Sequence, residues 1–182
     1  MAALVCGCTY DDAHIEPPPA WTVQQQHAAA VALEPCGGSG ADIGDGFVLT
    51  ASHVACDGSA ITTDVGQLLS AHHLAWRDDG HDLALLVTDL HGDEAVTDAA
   101  DVGDAVCAEV ALPARERRCG HITEIRPVGT PHGEVDLALD IRTVPGNSGA
   151  ALYDDNGHLV GVITSGVDGI GLASSVFGRL RR

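Results

Sequence analysis

In the segment EVDLALDIRTV, Val135, Leu137, Leu139 and Ile141 alternate with Asp136, Ala138, Asp140 and Arg142. A period of two carried that far predicts a strand with one buried face. Much of the chain reads the same way, as short apolar runs separated by turn residues. GFVLTASHVA, AITTDV, LLSAHHLAW and DLALLVTDL form a first set. AVCAEVAL, GHITEIRPV, EVDLALDIRTV, AALYDD and HLVGVITSG form a second set after TDAADVGD. Asn156-Gly157, between two of these runs, is a strong hairpin signal. Ahead of the first set, TVQQQHAAAVALEP begins with Gln and Ala and turns β-branched, which predicts a short helix over Val23 to Ala30 leading into a strand. The last segment, SSVFGRLRR, can be capped by Ser174 or Ser175 and ends in basic residues, which predicts a terminal helix. No residue identities repeat, but the chain divides near Asp98–Asp101 into two comparable sets of strands, about 31–98 and about 101–174. That is an all-β, antiparallel, two-barrel plan and not an alternation of strands with helices.

Composition narrows what fills those barrels. Of 182 residues, 45 % are hydrophobic but only 3 % aromatic, so Val, Ala, Leu and Ile must build the core. The 22 Gly suit many short strands joined by turns. The length fits one large domain or two small packed halves. The formal net charge is −17, and the nine basic residues are all Arg. Such acidity argues against a nucleic-acid partner, which would need a basic face for phosphates. It fits a solvated surface in a salt-rich or high-GC host, or the attraction of basic substrates. No stretch reaches the roughly 18 apolar residues of a spanning helix, so no transmembrane segment is expected.

Residues 1–20 read as a leader and tether. MAALVCGCTYDD has no basic n-region and too short an apolar run for a full signal peptide. Val5-Cys6-Gly7-Cys8 is either a disordered leader or the remnant of a bacterial lipoprotein signal with a lipid anchor at Cys8. IEPPPAW is a stiff proline-rich spacer. With Cys6 and Cys8 in the leader, Cys36, Cys56, Cys107 and Cys119 remain as two pairs; none lies in a Cys-x-x-Cys, which argues against a zinc ribbon. Disulfides would place the protein outside the cytosol.

TVPGNSGAALY contains Ser148 in a Gly-x-Ser-Gly setting, which alone marks a turn as readily as a nucleophile. A serine hydroxyl needs a base. Of ten His, only His53 follows a strand directly, in GFVLTASHVAC, with small Ala51 and Ser52 allowing a close turn. The imidazole needs an acid to hold its tautomer. Asp78 and Asp79 lie in a polar turn and Asp89 follows a strand, whereas Asp82 opens DLALLV at the mouth of an apolar strand. A carboxylate there must find a hydrogen-bond partner, which favours Asp82. His72, His73, His81 and His91 flank that strand without the helical i, i+4 spacing of zinc peptidases, so no metal is expected.

LTASHVAC, HDLALL and PGNSGAALY, in the order His, Asp, Ser, resemble the chymotrypsin-like (trypsin-like) serine peptidases over about residues 21 to 182. The resemblance implies two packed six-stranded antiparallel β-barrels with a short N-terminal and a C-terminal helix. It implies Ser148 as nucleophile, His53 as general base and acid, Asp82 as orienting acid, and backbone N–H groups of Gly146 and Ser148 for the oxyanion. Thr164, Ser165 and Gly166 match the strand that pairs with extended substrate. CGGSG at Cys36 with Cys56 after the histidine looks like the bridge many members carry, and VGDAVCAEVALPARERRCGHI resembles bacterial secreted members with a hairpin bridge from Cys107 to Cys119. DIRTVPGNSGAALYDDNGHLVGVITSG followed by GIGLAS looks more like the HtrA-type branch, with no segment left for a PDZ domain. An extracytoplasmic, monomeric serine endopeptidase acting on polypeptide without a cofactor follows, the alternative being a triad-bearing binding module with weak or no turnover. Two features depart from the pattern or stay open. Asn147 stands where digestive members have Asp, so activation by a cleaved N-terminus is not expected. Arg142 is either the floor of the specificity pocket or a surface partner of Asp140, and Val167 to Leu172 form the opposite wall.

Overall fold

The computed structural model describes residues 21–56, 58–70, 73–127, 135–167 and 170–177. The chain enters through helix α1 (Val23–Ala29), whose first turn is closed by a reciprocal pair. Gln25 N donates to Thr22 Oγ1 at 3.3 Å while Thr22 N donates to Gln25 Oε1 at 2.7 Å, a capping box. The β-branched and small residues that follow then pair as strands β1 (Ala30–Glu34), β2 (Gly38–Asp42), β3 (Phe47–Ala51), β4 (Ala60–Thr62), β5 (Leu68–Ser70), β6 (His73–Asp78) and β7 (Leu83–Val87).

These seven make one antiparallel sheet in the order β5-β4-β1-β2-β3-β7-β6. The first half thus has seven strands where six were expected. LLSAHHLAW reads as one strand, but its two ends pair with β4 and with β7, on opposite edges of the sheet. The second half does close. Strands β8 (Ala105–Val110), β9 (Glu116–Pro127), β10 (Val135–Leu139), β11 (Ala151–Asp154), β12 (Leu159–Val167) and β13 (Ile170–Ser175) form a barrel in the order β10-β13-β12-β11-β8-β9. Together the two curved sheets have the chymotrypsin-like architecture.

Among the described residues, the three larger apolar clusters hold this together. One fills the barrel around Leu137, Leu139, Ile141, Leu152 and Ile163. Another lines the N-terminal sheet with Val31, Leu33, Val48, Ile61 and Leu86. The third joins the halves: Leu49 and Leu83 meet Tyr153, Leu159 and Val162, and Trp21 packs on Tyr153 with ring centroids 5.8 Å apart. Each fully buried aliphatic side chain contributes about 1.5–3 kcal/mol, so this seam is strong enough to keep a cleft between the halves in a fixed shape.

The expected capping role of Ser174 or Ser175 is revised. Ser174 and Ser175 end strand β13 and cap no helix; Ser174 Oγ donates to the carbonyl of His81 at 2.5 Å, tying the barrel to the β6–β7 turn. Residues 178–182 of the expected helix lie outside the described residues, as do the leader and the two cysteines in it.

Candidate active site

His53 sits in a single 3₁₀ turn, Ser52–Val54, at the end of β3. The disulfide Cys36–Cys56 closes the chain around that turn across a separation of 20 residues. Asp82 lies at the start of β7 with φ 54°, a left-handed conformation that costs most residues about 1–2 kcal/mol and that Asp tolerates better than most. Both oxygens of its carboxylate are spent on one residue. Oδ1 accepts the backbone N–H of His53 at 2.9 Å, and Oδ2 meets His53 Nδ1 at 2.7 Å. An Nδ1–H engaged in this way leaves the Nε2 lone pair free to take a proton. The imidazole is half exposed, 52 %, so its orientation comes from these bonds and not from packing.

Ser148 belongs to the loop between β10 and β11, which is held by space and by buried amides. Gly149, at φ 87°, leaves no room for a side chain: a Cβ there would lie 1.9 Å from Ser39 O and 2.2 Å from Thr50 Oγ1. Gly146 has φ 95°, which glycine alone adopts at little cost. Between them Asn147 is buried and bonded at both ends of its amide. Its Oδ1 accepts Val144 N and Arg118 Nη1, both at 2.9 Å, and its Nδ2 donates to Leu112 O at 2.9 Å. Ser39, from the other half of the molecule, donates its N–H to Ser148 O at 2.8 Å and its Oγ to Gly146 O at 2.8 Å. Among the described residues no acceptor takes the N–H of Gly146 or Ser148. The Ser148 hydroxyl donates to Thr164 O at 3.2 Å. His53, Asp82 and Ser148 line one cleft of about 490 Å³ together with Thr143, Val144, Pro145 and the Ile163–Gly166 stretch of β12.

The family model of the trypsin-like peptidase domain matches residues 38–162, more than half of the chain. The chain belongs to this family. Among solved structures it is similar to the HtrA-type protease AlgW with a tripeptide, at TM-score 0.71 and 25 % identity, covering 84 % of this chain and 58 % of that one. AlgW with a decapeptide gives TM-score 0.65 and 27 % identity over 76 % and 48 % of the two chains. The chain thus spans about half the length of those AlgW chains. Rv3671c protease in its inactive form shares the fold at TM-score 0.70 and 18 % identity, over 84 % and 86 %. No curated protein matches the chain.

Within this trypsin-like domain, the strand segment Thr164, Ser165 and Gly166 forms one wall of the cleft. Val167 and Ile170 are exposed, and Asp168 and Gly169 lie outside the described residues. Arg142 is exposed and does not line the cleft. Its expected partner Asp140 accepts the backbone N–H of His121 at 2.5 Å instead, because the strand ends at Leu139 and turns the carboxylate toward β9. The second disulfide, Cys107–Cys119, staples β8 to β9 over 12 residues. As to metals, Asp98, Asp154 and His158 each bring a ligand atom within 4.8 Å of the others, but these groups pair among themselves outside the cleft, His158 Nδ1 lying 3.4 Å from Asp98 and 3.3 Å from Asp154. His72 lies outside the described residues, and His73, His81 and His91 are not in that group.

Sequence reasoning passes over four contributors: Ser39, Thr143, Arg118 and Arg77. Ser39 stands inside the CGGSG that draws attention for its cysteine. Thr143 reaches between two glycine-bearing strands, its Oγ1 donating to Ser165 O at 3.3 Å where a Cβ on Gly166 would come within 1.9 Å of it. Arg118 donates to Arg142 O at 2.8 Å as well as to Asn147, and its guanidinium is paired with Glu116. No local pattern marks such residues, since most of the groups they reach are distant in sequence.

Proposed function

We propose that the chain is a serine endopeptidase. The observation that carries this reading is the double engagement of His53 by Asp82, at 2.9 and 2.7 Å, in the cleft that also holds Ser148. In the reaction, Ser148 Oγ gives its proton to His53 Nε2 and attacks the carbonyl carbon of the scissile peptide. The carbonyl oxygen becomes an oxyanion that accepts the free N–H groups of Gly146 and Ser148; one such donor is worth about 3 kcal/mol in the transition state. His53 then protonates the leaving amine, the C–N bond breaks, and an acyl-enzyme remains. Water, deprotonated by His53, attacks the ester carbonyl; the acyl C–Oγ bond breaks, His53 returns the proton to Ser148 Oγ, and the carboxylic acid product leaves. Asp82 keeps its charge throughout and stabilises the imidazolium.

Substrate binds as an added strand along Thr164–Gly166, through main-chain hydrogen bonds. Thr143, Val144 and Pro145 line the cleft with Ser148. The oxyanion loop needs no ammonium from a cut N-terminus, because Asn147 is already anchored by Leu112, Val144 and the charged Arg118. Residues 21–182 make one peptidase domain of two β units. Two disulfides support a site of action outside the reducing cytosol.

The hydrogen bond from Ser148 Oγ to Thr164 O favours a second reading, a binding module with weak or no turnover, since that hydroxyl must rotate toward His53 before it can react. A peptide library analysed by mass spectrometry separates the two. Cleavage by the wild type that is lost in Ser148→Ala supports the peptidase. Peptide binding without cleavage by a folded wild type supports the module.

A further inference from the structure

The turn that carries His53 is gripped by a second set of groups that the proposed reaction does not use. Arg77, on β6, donates from Nη2 to Ser52 O at 2.6 Å and to Ala55 O at 3.0 Å. Those two carbonyls bracket His53 along the chain. The Arg77 Nε lies 3.2 Å from Asp79 Oδ1, and the same carboxylate oxygen accepts the Ser52 hydroxyl at 2.5 Å. The remaining polar group of Ser52, its N–H, donates to Asp82 O at 2.9 Å. All three polar groups of buried Ser52 are therefore tied to the stretch Arg77–Asp82, the same stretch that delivers the carboxylate to His53.

The chemistry of the contacts decides what this grip does. Ser52 O accepts the Ala55 N–H inside the turn at 3.2 Å, and Ala55 O lies at the turn's C-terminal edge. One guanidinium nitrogen, Nη2, donates both charged hydrogen bonds while Nε of the same rigid plane is held by Asp79, a set of three contacts at two nitrogens that a single ammonium does not reproduce. Asp79 is 77 % exposed, so its ion pair adds little stability; its use is to orient the guanidinium and to hold Ser52 Oγ. Because His53 is itself half exposed, the place of its ring follows from the backbone on either side. We propose that Arg77, oriented by Asp79, is a positioning residue that fixes His53 for proton transfer. It acts through Ser52 and Ala55 and touches no substrate. The inference rests on the triad reading above.

Arg77→Ala tests it, with Arg77→Lys and Asp79→Asn beside it, on a peptide the wild type cleaves. Misplacing a catalytic group by about 1 Å costs about 100-fold, so kcat of Arg77→Ala should fall by about 10- to 100-fold while KM stays within about twofold. The melting temperature should stay near the wild-type value, since Cys36–Cys56 still closes the loop. Added guanidinium at millimolar concentration should recover part of kcat, whereas sodium chloride at equal ionic strength should not, and Lys should restore little. An Arg77→Ala kcat within about twofold of wild type overturns the inference. So does a loss that tracks a fall in melting temperature and that guanidinium does not reverse. Should Arg77→Ala fail to fold, Asp79→Asn decides: a severalfold lower kcat at unchanged stability supports the role, and wild-type kcat overturns it. A folded wild type without turnover sinks the triad and this role with it, whereas an active wild type beside an equally active Arg77→Ala sinks this role alone.

Discussion

The turn that carries His53 and the loop that carries Ser148 face the same cleft but are held by different means. His53 stands exposed between buried Ser52 and Val54, in a turn gripped by charged side chains and a disulfide: Asp82, Arg77, Asp79 and Cys36–Cys56. The Ser148 loop is held by backbone fit, with two glycines at positive φ, a buried Asn147 bonded at both ends of its amide, and Ser39 reaching across from the other half. Charged surface clamps tolerate removal of one member, because water replaces the lost partner. Close backbone packing does not, because nothing can relax around a misplaced atom. Substitutions on the first side should therefore damage chemistry and spare the fold, and substitutions on the second should damage both.

The largest effect is expected at the acid. Asp82→Asn keeps the shape of the side chain but presents the wrong hydrogen-bond polarity to His53, and kcat should fall by about 10⁴ with circular dichroism and melting temperature nearly unchanged. A variant that unfolds would mean the His53 side is as packing-dependent as the other. Next comes Gly149→Ala. A Cβ at 1.9 Å from Ser39 O in a left-handed conformation should lower unfolding free energy by about 3 kcal/mol or more, read by denaturant titration, and lower turnover with it. A stable, active Gly149→Ala would break the contrast between the two sides.

The sequence makes one half of this picture easier to read than the other. His53, Asp82 and Ser148 stand out because each has a local context, a strand end or a glycine turn, and the three meet in one cleft. Period-two alternation likewise marks Leu137 and Leu139 as core, and both are fully buried. What supports them is not legible locally. Ser39 and Gly146 are 107 residues apart in the chain, and Arg77 and Asp79 look like ordinary polar turn residues until the turn is folded against Ser52. The seven-stranded sheet escapes notice for a related reason: a continuous apolar run carries no mark of where it divides between two edges. Ser174 has good helix-cap chemistry, but pairing with β10 and β12 and the bond to His81 O outweigh that local preference.

A smaller effect is expected at the base of the β6–β7 turn. Burial pushes the Asp78 carboxyl up, but hydrogen bonds from the His81 side chain and from the N–H groups of His81 and Gly80 outweigh it and hold the group below its usual 3.8. A carboxylate with a depressed folded-state value stabilises the protein above the unfolded value and loses that contribution as pH falls through the folded one. Asp78→Asn should therefore cost about 1–2 kcal/mol at neutral pH, and the difference from wild type should shrink as pH drops below 3.8, followed by thermal melts across that range. A gap that widens in acid would reverse the assigned sign. The smallest effect should come from the N-terminus. Truncations beginning at several points between Asp11 and Trp21 should all turn over alike, because Arg118, Leu112 and Val144 already anchor Asn147. Activity restricted to one N-terminal residue would show that the oxyanion loop depends on it.

The central claim is that His53, oriented by Asp82, makes Ser148 a nucleophile at neutral pH. Reaction of the folded protein with a fluorophosphonate, followed by peptide mapping, tests this most directly. The account predicts a single phosphonylated residue, Ser148, with labelling absent in both Ser148→Ala and His53→Ala. A folded wild type that stays unlabelled, or one labelled equally well without His53, would contradict it.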